Sequence, residues 1–512
     1  MKQLKILFFV TAITNYVIAQ PAYNWDRTSD TSLLVNYRKM FTDPDGSIYV
    51  GGTTSPSQSL IIKYDQFGNT LWEATDTGFI GYAGLRDMCL GENGNIYSTG
   101  VVTTVNTWSD AYLSKYDSDG NLLWQRYYNG PLDSTAENSS MIFFNSYIYT
   151  AGRATDLELN DRVLIQKYDI NGNLIWTYVD TMENSGEDAA FYLTHDNQDI
   201  ILTGFSEKIN VVQRKMFIAK YDTAGNKIWQ AIDDFGYEVM GGTLAIDYHN
   251  NIYATVTGSP YYDVVKYDSY GNFQWGYAAT PDIPTHPAGY GIIRIDDADN
   301  VYLSGAASMG GGIDGTSTFL FTKLKPDGEV VFNYVGQYGG GGALFDFLTQ
   351  NDIIITGKTD AFGHEMINFD SLGNIQWTHH YRDDVLNSYC YGALIDSMGN
   401  ILLGGKFDLN PSNTHPALLV IKYGNDIITG NDYAHNETDE INVYPVPASD
   451  NITIITAQKT ILEILNTQGQ IIRTINNDDK KITIKTDNFP SGLYIIKAMT
   501  DKSIATKKFI VE

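Results

Sequence analysis

Lys63-Tyr64-Asp65-Gln66-Phe67-Gly68-Asn69-Thr70-Leu71-Trp72 is a phrase that this chain repeats. It returns as Lys115 to Trp124, Lys167 to Trp176, Lys220 to Trp229 and Lys266 to Trp275. Degenerate copies follow. Lys323 to Phe332 puts Phe in the Trp slot, Phe369-Asp370 leads to Trp377, and the last copy stops at Lys422-Tyr423-Gly424. The Tyr slot falls at 64, 116, 168, 221, 267, 324, 369 and 423, in steps of 45 to 57 residues. A second phrase lies between copies, as in Gly46-Ser47-Ile48-Tyr49-Val50-Gly51-Gly52 and Gly94-Asn95-Ile96-Tyr97-Ser98-Thr99-Gly100.

Each unit therefore reads as four short strands joined by tight turns. In Asp-x-x-Gly-Asn the Asp side chain caps the turn and Gly takes the positive φ that the reversal demands. Four strands at a period near fifty predict the blade of a β-propeller. A lone blade cannot bury both faces, so blades stack, and the recurring Trp is expected between neighbours. Asn24-Trp25-Asp26 is a Trp strand with no Tyr-Asp partner before it, and Tyr423 has no Trp strand after it. Joining these halves completes one blade and removes the exposed edge. The expectation is an all-β chain with an eight-bladed β-propeller over residues 20–424, a seven-bladed ring being the fallback.

Tyr-Asp-x-x-Gly-Asn-x-x-Trp resembles the repeats of quinoprotein-type (PQQ-like) propellers and of the bacterial SBBP-type propeller. The resemblance runs from about Trp25 to Tyr423 and implies fold more than function. A quinoprotein would bring a calcium site and often a vicinal cysteine pair. Here Cys89 and Cys390 are single and distant, and Asp119, Asn171, Ala224 and Tyr270 fill the slot where that family has Thr before the turn Gly. No cofactor is expected.

Composition narrows the rest. Lys and Arg total 34 against 60 Asp and Glu, a formal net charge of −26. So acidic a surface repels phosphate backbones, which argues against a nucleic-acid partner. Met1, Lys2 and Lys5 precede a mainly apolar run, Ile6 to Ile18, and Val17-Ile18-Ala19 suits a cleavage site. Residues 1–19 read as a secretory signal peptide, and no transmembrane segment is expected once it is removed. The two cysteines read as buried thiols, with a disulfide as the alternative.

After Gly424 the character changes. Residues 425–440 are polar and acidic and read as a linker. Residues 441–512 alternate in short apolar runs such as Ile452 to Ile455 and Leu493 to Ile496, the pattern of a small Ig-like β-sandwich. This segment resembles the type A C-terminal sorting domain of the type IX secretion system of Bacteroidota. Tyr444-Pro445-Val446-Pro447 sits where that family has Tyr-Pro-Asn-Pro. Gly469 stands in its central turn, Gly492-Leu493-Tyr494 matches its Gly-hydrophobic-Tyr strand, and Lys507-Lys508 opens its basic-apolar terminus. Val446 departs from the usual Asn. The resemblance implies the type IX machinery as partner and a secreted or outer-membrane surface location. The alternative is a small β-sandwich binding module.

Chemistry is sparse. Asp117-Ser118-Asp119-Gly120-Asn121 and Asp43-Pro44-Asp45-Gly46 look like the start of a calcium loop, but no Glu stands near the twelfth position after Asp117. The eight histidines show no metal-ligand spacing, and His379-His380 on a strand point to opposite faces. Gly310 to Gly312 and Gly339 to Gly342 lead into no phosphate-binding helix and read as tight loops near the axis. Asp87, Glu137, Glu187, Asp188 and Glu238 each fall between a Trp and the next innermost strand, where loops gather at one mouth of a channel. They read as solvated loop charge or as a polar-ligand site. The function expected is a non-catalytic binding or adhesion protein for a glycan, peptide or matrix ligand. The alternative is a secreted lyase or hydrolase acting on polysaccharide.

Overall fold

The computed structural model describes residues 22–424 and 442–511, apart from 30–33, 56–57, 76–81, 104–108, 183–184, 209–213, 234–238, 259–262, 279–284, 288–290, 310–315, 337–343, 350–351, 360–362, 382–387, 408–416, 445–450, 457–459, 466–470, 478–480, 487–488, 491 and 500–503. The expected signal peptide, the linker and both Gly-rich loops lie outside the described residues. Two compact units divide the chain, Met1–Ile427 and Ile428–Glu512.

The first unit is a series of antiparallel, four-stranded sheets. Sheet 1 joins Leu34–Thr42, Ile48–Ser55, Ser59–Tyr64 and Thr70–Thr75. Sheet 2 joins Ala83–Leu90, Ile96–Val102, Asp110–Tyr116 and Leu122–Tyr128. Sheet 3 joins Ala136–Phe144, Tyr147–Thr155, Asp161–Asp169 and Leu174–Asp180. Sheet 4 joins Ser185–His195, Ile200–Lys208, Arg214–Tyr221 and Lys227–Asp233. Sheet 5 joins Val239–Ile246, Ile252–Gly258, Asp263–Tyr267 and Phe273–Ala278. In sheet 6 the first strand is split into Thr285–Pro287 and Ile292–Ile295, followed by Val301–Met309, Thr316–Leu324 and Val330–Val335. Sheet 7 joins Leu344–Thr349, Asp352–Thr359, Gly363–Asp370 and Ile375–Tyr381. Sheet 8 joins Ser388–Ile395, Ile401–Phe407 and Ala417–Gly424, and its fourth strand is Ala22–Thr28 from the other end of the unit. Trp25 pairs with Lys422 there, so the two half-blades do join. First strands of successive sheets pack side by side, and that of sheet 8 packs back on that of sheet 1. This is an all-β arrangement of the propeller kind.

One latch recurs between sheets. Asp65 Oδ1 accepts from the backbone N–H groups of Phe67 and Asn69, at 2.8 Å each, and Asn69 Nδ2 donates to Asp65 Oδ2. The turn so tied holds Gly68 at φ +81°. A Cβ on Gly68 would lie 2.7 Å from the Trp25 ring, and the same holds for Gly120 under Trp72 at 2.6 Å. At most seams Trp of one sheet thus lies on the turn Gly of the next, Tyr178 and Phe332 taking that place over Gly225 and Gly373, and any side chain there would displace the ring. The Lys of the repeat completes the contact. Lys63 Nζ and Trp72 Nε1 both donate to Ser118 O, at 3.3 and 2.9 Å. Lys167 with Trp176, and Lys266 with Trp275, likewise share Thr223 O and Pro326 O. Each of these lysines also sits over a tyrosine ring of its own sheet, as Lys63 does over Tyr49 at 5.0 Å.

The second unit has two sheets. Asn442–Tyr444, Asn451–Ile455 and Lys481–Lys485 form one. Ile471–Asn477, Thr460–Leu465, Gly492–Met499 and Ile504–Val511 form the other, in that order. They share a core of Ile452, Ile454, Leu462, Ile464, Ile484, Phe489, Tyr494, Ile496 and Val511.

Candidate functional site

First strands line the inner edge of the circuit, and most of them break period. In sheets 1 to 4 and 8 the ladder skips one residue: Arg38, Arg86, Ser139, Phe191 and Tyr391 respectively. Such a β-bulge kinks the strand and leaves its extra residue off the ladder. All five are at least partly exposed, and Tyr391 keeps 44% of its surface.

In sheets 1 to 3 the residue after the bulge is tied across the seam. Lys39 Nζ meets Asp87 Oδ1 at 2.6 Å. Asp87 Oδ2 accepts from Ser140 Oγ at 3.1 Å and from Met141 N–H at 2.8 Å. Ser140 Oγ in turn accepts from Leu193 N–H at 3.3 Å. Burial opposes the Lys39 charge, but the Asp87 carboxylate outweighs it and raises the ammonium's pKa. Between sheets 8 and 1, Tyr37 stacks on Tyr391 at 6.3 Å, and burial pushes the Tyr37 phenol well above its usual range.

The acids expected in loops at a channel mouth are therefore placed differently. Asp87, Glu137, Glu187 and Asp188 all lie on first strands, because the bulged strands start earlier than the alternation of apolar residues suggests. Asp87 is buried and paired with Lys39. Glu137 meets Arg153 at 2.8 Å and Arg86 at 3.7 Å. Asp188 is fully buried, accepts from Met182 N–H at 3.1 Å and lies 3.9 Å from Arg162. Glu187 is exposed, opposite Glu207. Glu238 lies outside the described residues. Three of these carboxylates are thus countered by cations from other strands.

Sequence spacing missed two groupings. Arg38 and Arg86 stand at equivalent bulges of adjacent sheets, which a period of two conceals. Asp247, His249 and Asp299 bring ligand-type atoms within 4.8 Å of one another, although no metal spacing marks them. Asp247 already accepts from His249 N–H, from Asn251 through both backbone and side chain, and from Tyr253 Oη, while His249 Nδ1 lies 3.0 Å from Asp299 Oδ2. The trio joins the turns of sheets 5 and 6. Cys89 and Cys390 are free thiols, and burial raises both to about 12. Asp117 caps its turn: Asn121 side-chain and backbone donors hold it below the usual carboxylate range.

In the second unit Tyr444 ends the first strand, opposite Thr453. Tyr494 is buried edge-on against Phe489 at 5.3 Å and donates to Pro490 O at 2.7 Å. Gly492 opens the strand that pairs with the last one, where Lys507 and Lys508 stand opposite Ile496 and Ile495. Pro445, Pro447 and Gly469 lie outside the described residues.

Residues 442–512 match the secretion system C-terminal sorting domain. The chain is exported by the type IX secretion system to the cell surface or the extracellular space. The sorting domain implies an interaction with that machinery. No match was found among curated proteins. Solved structures similar to this chain include PorZ, an essential surface component of the type IX secretion system of Porphyromonas gingivalis, at 10% identity and a TM-score of 0.24, covering 95% of this chain and 100% of that one. A polysaccharide lyase described as an ulvan lyase matches at 12% identity and 0.44, covering 69% and 98%. Drosophila Plexin A matches at 9% and 0.42, covering 79% and 87%. None of these TM-scores reaches 0.5, and no activity passes from those proteins to this one. Among the described residues no helix is long and apolar enough to cross a membrane.

Proposed function

We propose that this chain is a secreted or surface-held binding protein, an eight-bladed β-propeller carried out of the cell by an Ig-like sorting domain. Residues 1–19 start it on the route as a signal peptide, 20–424 form the propeller, 425–440 link, and 441–512 address it. The match over residues 442–512 is the observation that carries the reading. The pairing of Ala22–Thr28 with Ala417–Gly424 supports the eighth blade, since it makes one blade from both ends of the unit. Binding rather than catalysis is supported by the state of the inner-edge acids. Asp87, Glu137 and Asp188 face Lys or Arg, which suits fixed architecture better than proton transfer.

The test is a truncation after Thr506. It removes most of the edge strand Ile504–Val511 and leaves Gly492 to Ile496 unpaired on that side. In a host with the type IX machinery, folded protein should accumulate in the periplasm and none should reach the surface, as read by fractionation and surface proteolysis. Surface display of the truncated chain would overturn the reading.

A further inference from the structure

The bulge residues of five consecutive sheets, 8, 1, 2, 3 and 4, run Tyr391, Arg38, Arg86, Ser139, Phe191 along the inner edge of the circuit. The ties already described show that they stand at one level: Tyr37 against Tyr391, Lys39 on Asp87, Asp87 on Ser140, Ser140 on Leu193. We propose that this arc binds an acidic oligosaccharide, a sugar chain carrying carboxylate or sulfate groups. The proposal rests on reading the ring as a ligand-binding module and names the ligand class of its inner edge.

Charge points there first. On a chain of net charge −26, two guanidiniums stand at adjacent equivalent sites. Arg38 is exposed and has no ion pair among the described residues, while Arg86 has only Glu137, at 3.7 Å and shared with Arg153. Although its side chain reaches solvent, partial desolvation and the neighbouring Arg86 charge both pull the Arg38 guanidinium below its usual pKa. An anion lying between the two forks relieves that repulsion and accepts from both, and planar or tetrahedral oxyanions suit the guanidinium fork. Shape points to a sugar. Aromatic rings end the arc on both sides, Tyr391 backed by Tyr37 and with Lys406 Nζ 5.9 Å from its ring centre, and Phe191 beside Phe205 at 5.6 Å. Such braced, partly exposed rings offer flat apolar faces to the C–H face of a pyranose, and Ser139 offers a hydroxyl to its ring substituents. An acidic peptide would use the arginines but has no flat apolar face for the two rings.

Titration calorimetry on the purified full-length chain tests this with four probes of matched length: oligogalacturonate, a sulfated galactan oligosaccharide, a neutral cello-oligosaccharide and poly-glutamate. At least one acidic sugar should bind, with the neutral sugar and poly-glutamate weaker by about tenfold or more. Arg38→Gln and Arg86→Gln should each weaken that binding by about tenfold, and Tyr391→Ala by a smaller factor, with unchanged thermal midpoints. Arg38→Lys keeps the charge without the fork and should fall between wild type and Arg38→Gln. Should Arg38→Gln unfold, the folded Arg38→Lys decides in its place. Failure of both acidic sugars, equal binding of poly-glutamate, or full affinity in the Arg38 variants would overturn the arc. Cleavage of the sugar by the wild type would instead overturn the non-catalytic reading and leave the arc standing.

Discussion

Two seams of the ring differ in what their tryptophans meet. Between sheets 8 and 1, Trp25 lies on Gly68 and donates to Gln66 O at 3.3 Å, and Lys422 donates to the same carbonyl at 3.3 Å. The latch is complete, although its two donors come from opposite ends of the unit. Between sheets 7 and 8 the donors have no acceptor among the described residues. Asn368 takes the Lys slot and pairs with Trp377 across the strands. Both are buried, and among the described residues neither the Asn368 amide nor Trp377 Nε1 has a hydrogen-bond partner. Elsewhere the acceptor is the second residue after the Tyr slot. After Tyr423 that position is Asn425, which lies outside the described residues. Here Trp377 packs with Ile401, Leu403, Leu419, Ile421 and Tyr423, and Cys390 of sheet 8 is hydrogen-bonded to the Thr356 side chain of sheet 7. Among the described residues, one seam therefore ties its Trp and Lys-slot side chains to a turn carbonyl, and the other leaves both buried without a polar partner.

The largest expected effect breaks the complete seam. Trp25→Ala removes a buried ring and one donor to Gln66 O, and should cost about 3–5 kcal/mol. Denaturant unfolding of the full chain checks it, and a loss under about 1 kcal/mol would mean that closure does not depend on this residue. At the other seam the sign should reverse. Asn368→Leu replaces a buried amide that has no partner among the described residues by an apolar group of similar size and should stabilise by about 1–2 kcal/mol. The same change at Lys63, which does have its acceptor, should destabilise. Smaller still is a matched pair of Trp→Phe variants. Trp72→Phe gives up a bond to Ser118 O and should cost about 1 kcal/mol more than Trp377→Phe, which gives up none among the described residues.

Acid sharpens the contrast with the smallest effect per site. Burial works against the Asp65 carboxylate, but Asn69 and Phe67 donors outweigh it and hold it below its usual range; Asp169, Asp222 and Asp370 are held low in the same way. A carboxyl depressed in the folded state lends stability that is whole above its unfolded value of about 3.9 and fades as pH falls through the lower folded value. Indole N–H exchange at Trp72, whose acceptor belongs to such a turn, should quicken below about pH 4. Exchange at Trp377 should change less. Equal acceleration at both would show that the turns do not hold the latches.

The repeat was legible because it is local: Asp, Gly and Asn of one turn bond one another within four residues. Closure was legible because Trp25 and Tyr423 were each missing a partner. The role of the repeated Lys was not, since its acceptor lies about one sheet onward, as Ser118 does from Lys63. The inner edge was misread for two physical reasons. One extra residue per first strand shifts the period that the eye follows, which hid Arg38 and Arg86. Asp87 and Asp188 looked like free charge because Lys39 and Arg162 approach them only through tertiary register. Export was legible in a handful of terminal positions, of which Tyr494, buried and bonded to Pro490 O, has an evident structural reason.

The divided latch also means that closure of sheet 8 waits for the last residues of the unit. Trp25 is made among the first residues of the ring and Lys422 among the last, so the shared grip on Gln66 O cannot form on a partial chain. Contacts so distant in sequence form late and slowly. Until they form, the fourth place in sheet 8 stays open, a bare strand edge able to pair with whatever extended chain lies near. Because the sorting domain follows Lys422, every chain that carries the address already contains all it needs to shut the ring.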